Sequence, residues 1–185
     1  IYVVRNFFLQ KDNPDFATAR LLIDKMIESQ PKNNALKTLQ QTVRNHTPIA
    51  HNSSVPKFAA YDINGKPVNN AMLAKADTAV VIAWATWNYN SVSMLQTVAQ
   101  IQKEKGSKMK VLGVCLDYSR SLCRTALRQR DMNDIPTVCD GKAVDGDVYN
   151  RLGMSNLPDN IVIEKGRVTA TGLTLEQLRK KLGKE

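Results

Sequence analysis

The stretch that decides the fold is Trp84-Ala85-Thr86-Trp87-Asn88-Tyr89-Asn90-Ser91. It follows the apolar run of residues 79–83, and apolar residues recur at helical spacing over residues 92–99. An apolar run before a polar turn indicates a buried strand, and the following period of three to four indicates a helix. Asn88 or Asn90 would cap that helix, because asparagine is a favoured N-cap residue. We therefore predict a buried strand, a tight turn and a helix, in this order.

Strands and helices alternate on either side of this stretch. The pattern after residue 55 predicts the order β-β-α-β-α-β-α-β-β-α. The near-continuous apolar run of residues 110–116 is typical of a parallel strand covered on both faces, and residues 160–164 and 167–170 form a predicted hairpin. This alternation predicts an α/β fold with a mixed central sheet flanked by helices.

The first third of the chain has a different pattern. Residues 12–47 read as a helical hairpin, which Asn13 would cap and Pro14 would begin, since proline suits the first helical position. The polar stretch of residues 51–54 is the best candidate linker. We therefore predict an N-terminal helical segment over residues 1–50 and a second domain over residues 51–185.

Composition excludes several classes of protein. Of the 185 residues, 43% are hydrophobic and 23% are charged, which is ordinary for a globular protein. No run of 18 apolar residues exists, so we predict no transmembrane segment. The net charge of +9 favours acidic partners or simply gives a basic solvated surface. We predict no nucleic-acid partner, because no basic stretch has interleaved aromatic residues.

Five short motifs follow one another along the chain: Val55-Pro56-Lys57-Phe58, Asn64-Gly65-Lys66, Trp84-Ala85-Thr86-Trp87, Gly113-Val114-Cys115-Leu116-Asp117 and Leu157-Pro158. Their order resembles the thioredoxin superfamily, and more narrowly its TlpA/ResA-like branch near the AhpC/TSA peroxidases. The resemblance covers about residues 55–183 and implies a thioredoxin-like fold, with the helical hairpin preceding it. It also implies a location in the periplasm or cell envelope of a bacterium.

The same resemblance indicates that the usual chemistry is missing. Asn88 and Ser91 occupy the two positions where this family carries the cysteines of its CxxC motif. A carboxamide and a hydroxyl cannot form a disulfide, so we predict no catalytic residue there and a redox-inactive protein.

The resemblance still predicts a groove that could bind a partner. Pro158 matches the family's cis-proline, and the residue before that proline pairs its backbone with an extended peptide. We therefore predict peptide or partner-protein binding at Trp87, Tyr89, Leu157 and Pro158, or else a purely structural role in a larger envelope protein. In the rival interpretation, Trp84 and Trp87 only pack in the core and at its rim. The sequence does not indicate which oligomeric state the protein adopts.

The three cysteines leave a second possibility open. Cys115 is predicted to be a small buried hydrophobic residue. Cys123 and Cys139 lie in elements that should be neighbours, so we hypothesise that they are close enough to form a disulfide. The alternative function is a thiol–disulfide oxidoreductase or peroxidase that uses Cys115, Cys123 or Cys139.

Other chemistry has little support in the sequence. Ser91 would need a nearby base to act as a nucleophile, and the only histidines are His46 and His51. With no close group of cysteine, histidine and aspartate residues, we predict no metal site and no cofactor. One helix face carries Arg120, Arg124 and Arg128, which is either an anion-binding surface or a solvated face.

Overall fold

The computed structural model describes residues 1–9, 15–45 and 49–183. The chain divides into two compact units, Ile1–Pro48 and Ile49–Glu185. This division falls two residues before the boundary predicted from the sequence.

The N-terminal unit is helical. Its elements are α1 (Tyr2–Val4), a π-helical turn (Arg5–Leu9), α2 (Phe16–Ser29) and α3 (Asn34–Asn45). Asp15 is the N-cap of α2 and its carboxylate accepts a hydrogen bond from the Thr18 N–H at 2.9 Å. The predicted cap, Asn13, and Pro14 lie outside the described residues. Ala19 and Ile23 of α2 pack with Leu39 and Val43 of α3 in the unit's own apolar core.

The second unit contains a five-stranded mixed sheet with the strand order β5-β4-β3-β6-β7. These strands are β3 (Thr78–Trp84), β4 (Met109–Cys115), β5 (Thr137–Val138), β6 (Asp159–Glu164) and β7 (Arg167–Thr171). Strands β3, β4 and β5 are parallel, whereas β6 and β7 run antiparallel to their neighbours. The predicted fold class, a mixed central sheet flanked by helices, is confirmed.

A small hairpin and five helices surround this sheet. They are β1 (Ala59–Tyr61), β2 (Pro67–Asn69), α4 (Asn70–Ala74), α5 (Tyr89–Lys105), α6 (Arg120–Gln129), α7 (Asp147–Arg151) and α8 (Leu175–Lys181). The hairpin turns at Gly65, where φ is +80°, and the buried Asp62 carboxylate accepts hydrogen bonds from the Asn64 and Lys66 N–H groups. Helix α8 begins with a capping box in which Thr174 and Gln177 satisfy each other's backbone N–H groups.

The sheet is buried on both faces, which explains why β3 and β4 are almost continuously apolar. One face packs α5 and α6 against residues such as Ile82, Trp84 and Cys115. The other face packs the hairpin, α4 and α7 against residues such as Val81 and Leu112. Parallel strands end at one edge, so the carboxyl ends of β3, β4 and β5 bring their following loops together.

Gly113 in β4 makes this packing possible beside Trp84. A Cβ atom at position 113 would lie 2.7 Å from Thr137 Oγ1 and 3.0 Å from Trp84 Nε1. Only glycine leaves room there for the fully buried indole of Trp84. The tryptophan that ends β3 is therefore part of the core, and it fixes the start of the turn that follows.

Candidate functional site: the helix entrance and a buried thiol cluster

The helix entrance, which we define as residues 84–91, is closed by hydrogen bonds of two polar side chains. Asn88 is the N-cap of α5, and its Oδ1 accepts a hydrogen bond from the Ser91 N–H at 2.9 Å. This side chain therefore satisfies one of the free donors that every helix start leaves. Asn88, rather than Asn90, performs the capping role predicted for one of the two.

Ser91 binds the turn to the helix. Its side chain is fully buried, and its Oγ accepts from the Ala85 N–H at 3.1 Å and lies within hydrogen-bond distance of the Asn88 carbonyl (2.8 Å) and the Ala85 carbonyl (3.3 Å). None of these partners is a base. His51 is exposed and His46 lies outside the described residues. The structure thus gives Ser91 a structural role, and among residues 1–9, 15–45 and 49–183 no hydrogen-bond partner of its hydroxyl could activate it as a nucleophile.

The loop before β6 lies against this entrance. The Leu157–Pro158 peptide bond is cis, and the Leu157 carbonyl accepts a hydrogen bond from Asn88 Nδ2 at 3.4 Å. The N–H of Leu157 has no hydrogen-bond partner among the described residues. Leu157 and Pro158 are both partly exposed. One backbone donor therefore remains available next to the degenerate cysteine positions.

The two aromatic side chains on either side of Asn88 point into solvent. Trp87 is 69% exposed and Tyr89 is 83% exposed, whereas Trp84 is fully buried. Trp84 therefore packs in the core, and both interpretations of Trp87, as a rim residue and as a binding residue, stay predictions. Tyrosine and tryptophan side chains are enriched at protein interfaces.

Asp159 is a buried carboxylate that the sequence analysis did not identify. It accepts hydrogen bonds from the backbone N–H groups of Ser155 (2.8 Å), Asn156 (3.3 Å) and Asn160 (2.8 Å). Burial raises the pKa of Asp159, and these three hydrogen bonds only partly oppose that effect. The carboxylate shapes the loop that carries Leu157 and Pro158.

Three cysteines meet at the carboxyl edge of the parallel strands. Cys115 ends β4, Cys139 directly follows β5, and Cys123 is the fourth residue of α6, the helix that follows β4. Their Sγ atoms all lie within 4.8 Å of one another, and none of the three residues is more than 2% exposed. We call this group the thiol cluster.

The thiol cluster bears on two predictions from the sequence. Cys123 and Cys139 are hypothesised to be close enough for a disulfide; their sulfurs lie within 4.8 Å of each other, and all three cysteines are free in this structure. The absence of a metal site is predicted because no group of potential ligands comes together, and the thiol cluster is such a group. Sequence spacing hides the group, because positions 115, 123 and 139 belong to three separate elements that meet only when β4 and β5 pair.

Asp117 connects the thiol cluster with the helix entrance. Its buried carboxylate accepts hydrogen bonds from the Thr86 N–H (3.2 Å) and from Thr86 Oγ1 (3.1 Å), and Cys115 Sγ donates to it at 3.3 Å. The Asp117 carbonyl accepts a hydrogen bond from Cys139 Sγ at 3.4 Å. The sulfurs and the turn after β3 therefore share one acidic residue.

The three thiols do not ionise alike. Hydrogen bonds with Cys123 and Cys139, followed by burial, raise the pKa of Cys115. Hydrogen bonds from Cys115 and Cys123 lower the pKa of Cys139, and the Gly141 N–H and the charge of Arg120 act in the same direction. Cys139 is therefore the sulfur that most readily carries a negative charge.

Of the three arginines on one face of α6, Arg124 makes a hydrogen bond within the fold. Arg124 Nη2 donates a hydrogen bond to the Ile63 carbonyl at 2.7 Å. Ile63 lies in the turn between β1 and β2, so this bond ties the hairpin to α6. Arg120 and Arg128 are exposed. Anion binding on this face stays a prediction.

Comparison with known proteins identifies the architecture. No family model and no curated protein matches the sequence. Solved structures do match: a thiol-disulfide oxidoreductase from Bacteroides fragilis is 22% identical with a TM-score of 0.61, covering 70% of this chain and 97% of that one. A thiol:disulfide interchange protein from Chlorobium tepidum is 17% identical with a TM-score of 0.58, covering 72% and 96%.

A secreted disulfide oxidoreductase from Mycobacterium tuberculosis is a third match, 15% identical with a TM-score of 0.55 and covering 68% and 93% of the two chains. These likenesses concern the backbone, since the cysteines of the present chain are not a CxxC pair. Together with the strand order and the cis Leu157–Pro158 bond, they establish that the chain has the thioredoxin-like fold of the thiol-disulfide oxidoreductases.

Proposed function

We propose that this chain is a redox-inactive thioredoxin-like module that binds an extended segment of a partner protein. The observation that carries the proposal is the pairing of a sulfur-free helix entrance with a free backbone donor at Leu157. The first feature removes thiol exchange, and the second keeps the means of recognising a peptide.

Thiol exchange needs an accessible thiolate that can attack a disulfide sulfur. At the helix entrance, a carboxamide and a buried hydroxyl occupy the reactive positions, and both are engaged in structural hydrogen bonds. The chain's three cysteines are all buried and lie beneath the loops that follow β4 and β5. A substrate disulfide would have to displace those loops to reach any sulfur.

Peptide binding by strand addition needs unpaired backbone groups and neighbouring surfaces for side chains. The Leu157 N–H supplies one unpaired donor, and Leu157 and Pro158 supply a partly exposed apolar floor. The exposed rings of Trp87 and Tyr89 flank Asn88, which contacts Leu157 directly. An extended segment with apolar side chains suits this surface better than a small polar ligand.

We place this module in the periplasm or cell envelope of a bacterium. One structural neighbour is described as secreted, and several others are bacterial thiol-disulfide oxidoreductases. None of the helices in the described part of the chain has the length and apolar character that crossing a bilayer requires. Fusion of the natural gene to a reporter that is active only outside the cytoplasm tests the location.

Insulin reduction by dithiothreitol tests the absence of redox function. The wild-type chain should leave the rate of insulin precipitation at the blank value, whereas acceleration would refute the proposal. The double variant Asn88→Cys, Ser91→Cys is the positive control, because it returns sulfur to the start of α5, where a thiolate is stabilised by the helix.

Selection from a library of extended peptides, followed by affinity measurement, tests the binding function. Trp87→Ala and Tyr89→Ala should each weaken a selected peptide by about tenfold or more, as expected for aromatic anchors. Tyr61→Ala is the matched control, because Tyr61 is a comparably exposed aromatic residue on the β1–β2 hairpin. Equal losses for all three variants, or none at Trp87 and Tyr89, would contradict the proposed surface.

The proximity of the three sulfurs favours one alternative, a thiol oxidoreductase or peroxidase that uses the thiol cluster. Such an enzyme requires one cysteine that reacts rapidly at neutral pH. Alkylation of the native protein distinguishes the two functions. Uniformly slow labelling supports the binding module, and one fast cysteine supports the enzyme.

A further inference from the structure

The geometry points to a metal-binding function for the thiol cluster: Cys115, Cys123 and Cys139 form a three-sulfur site for a soft monovalent ion, Cu(I). This site is separate from the peptide surface and uses none of the residues proposed to bind a partner. It also gives a chemical role to sulfurs that the proposed function leaves unused.

The arrangement of the sulfurs carries the inference. Three sulfurs bound at about 2.3 Å in a trigonal plane lie about 4.0 Å from one another. In the structure all three pairs of Sγ atoms are within 4.8 Å, so small side-chain movements suffice to close the site. Two of the sulfurs also donate hydrogen bonds to Asp117, and these bonds keep Cys115 and Cys139 turned towards the same edge of the sheet.

The ligand set selects the metal. Thiolates are soft ligands and favour Cu(I), Zn(II) or iron–sulfur clusters over hard ions such as Mg²⁺ and Ca²⁺. Structural zinc sites are closed by four ligands, and catalytic ones complete the fourth position with water. Within the described chain no fourth cysteine, histidine or carboxylate lies within 4.8 Å of all three sulfurs. The Asp117 carboxylate touches Cys115 Sγ alone, at 3.3 Å, and it is a hard oxygen ligand that soft Cu(I) does not favour. A three-coordinate ion therefore fits best.

Groups of both signs surround the site. Arg120 and the Gly141 N–H act on Cys139, whereas the Asp117 carboxylate accepts a hydrogen bond from Cys115 Sγ at 3.3 Å. Trp84 is the β3 partner of Cys115 in the sheet, and its buried Nε1 has no hydrogen-bond partner in the part of the chain that the structure describes.

The site lies only one loop below the surface. Residues 116–119 connect β4 with α6, and residues 140–142 follow Cys139. A Cβ atom at position 141, where φ is +77°, would lie 3.1 Å from the Tyr118 carbonyl oxygen, so the two loops lie against each other as one cover. An ion can enter by local displacement of this cover, without opening the sheet. Binding replaces thiol protons, which pass to solvent, and no electron is transferred.

Anaerobic titration of the reduced 185-residue chain with Cu(I) tests the site. A chelator whose absorbance changes when it binds Cu(I) competes with the protein and reports the affinity. We expect one copper per chain and a thiolate-to-copper charge-transfer band in the ultraviolet. Because the chain has only three cysteines, every thiolate–copper bond must come from this cluster. Cys115→Ser, Cys123→Ser and Cys139→Ser should each weaken binding by at least about a hundredfold, since loss of an outer-shell partner alone costs up to that much.

X-ray absorption at the copper edge of the wild-type complex keeps the test independent of variants that fail to fold. Three sulfur neighbours at a single short distance support the site. Two sulfur neighbours, copper that bridges two chains, or failure to compete with the chelator would overturn it. Tighter retention of Zn(II) than of Cu(I) would overturn the assignment to a three-coordinate monovalent ion.

Discussion

Replacing Ser91 with alanine isolates the interaction that closes the helix entrance. The Ser91 hydroxyl is the hydrogen-bond acceptor for the N–H of Ala85, a residue with no exposed surface. The two carbonyls near the hydroxyl keep other donors in the variant, because Asn88 N–H donates to the Ala85 carbonyl and Val92 N–H donates to the Asn88 carbonyl. Only the Ala85 N–H is left without a partner.

The expected cost follows from that single orphaned donor. A buried N–H that loses its partner costs about 1–3 kcal/mol. Alanine also has a higher helix propensity than serine by up to about 0.7 kcal/mol, which opposes the loss. Ser93→Ala is the matched control, because it makes the same change two residues later in α5 at a half-buried position. The difference between the two variants should therefore be about 1–3 kcal/mol.

Urea unfolding followed by tryptophan fluorescence measures this difference. Both tryptophans, Trp84 and Trp87, belong to the second unit, so the signal reports its unfolding and not that of the N-terminal helices. The slope with urea should be unchanged and the midpoint of Ser91→Ala should fall below that of Ser93→Ala. Equal midpoints for the two variants would refute the claim that Ser91 has a structural function here.

Three further predictions address neighbouring features. Asn88→Ala should lower the free energy of unfolding by about 1 kcal/mol, whereas Asn88→Ser, which keeps a capping oxygen for α5, should lose less in thermal denaturation. Gly113→Ala should cost about 1–3 kcal/mol in urea unfolding, because Thr137 and Trp84 must move; an unchanged midpoint would contradict the packing described here. For Asp159, the raised pKa means that the carboxyl favours folding most below its ordinary value of 3.8 and loses that contribution as the pH rises through the raised value. The stability of wild type relative to Asp159→Asn should therefore fall with rising pH, and parallel curves in urea titrations at several pH values would exclude this linkage.

Most of the fold was predictable because its signals are local. The apolar run predicted as a buried strand forms β3, and the turn at Gly65 and the Thr174–Gln177 capping box likewise depend only on residues close in sequence. Asn88 could be predicted as a cap for the same reason. Where the pattern is periodic or the turn chemistry is specific, few alternatives compete.

The thiol cluster could not be predicted, because no local pattern encodes it. Cys115 and Cys123 are eight positions apart and Cys139 is sixteen further on, which matches no ligand spacing. Their approach depends on the pairing of β4 with the two-residue β5, a contact between distant segments. The buried role of Asp159 was hidden for a related reason, since its three donors are backbone groups that the sequence does not mark.

The proposed function and the proposed metal site use different parts of one fold. Peptide recognition at Leu157 would depend on backbone geometry, which does not require cysteine at positions 88 and 91. Thiol exchange at the helix entrance would require sulfur there, and Asn88 and Ser91 have none. Asp117 links the two places, because it contacts Cys115 on one side and Thr86 on the other. If both proposals hold, the buried sulfurs bind an ion rather than exchange disulfides, because exchange needs access for a bulky disulfide whereas a bare ion is small enough to enter past one loop.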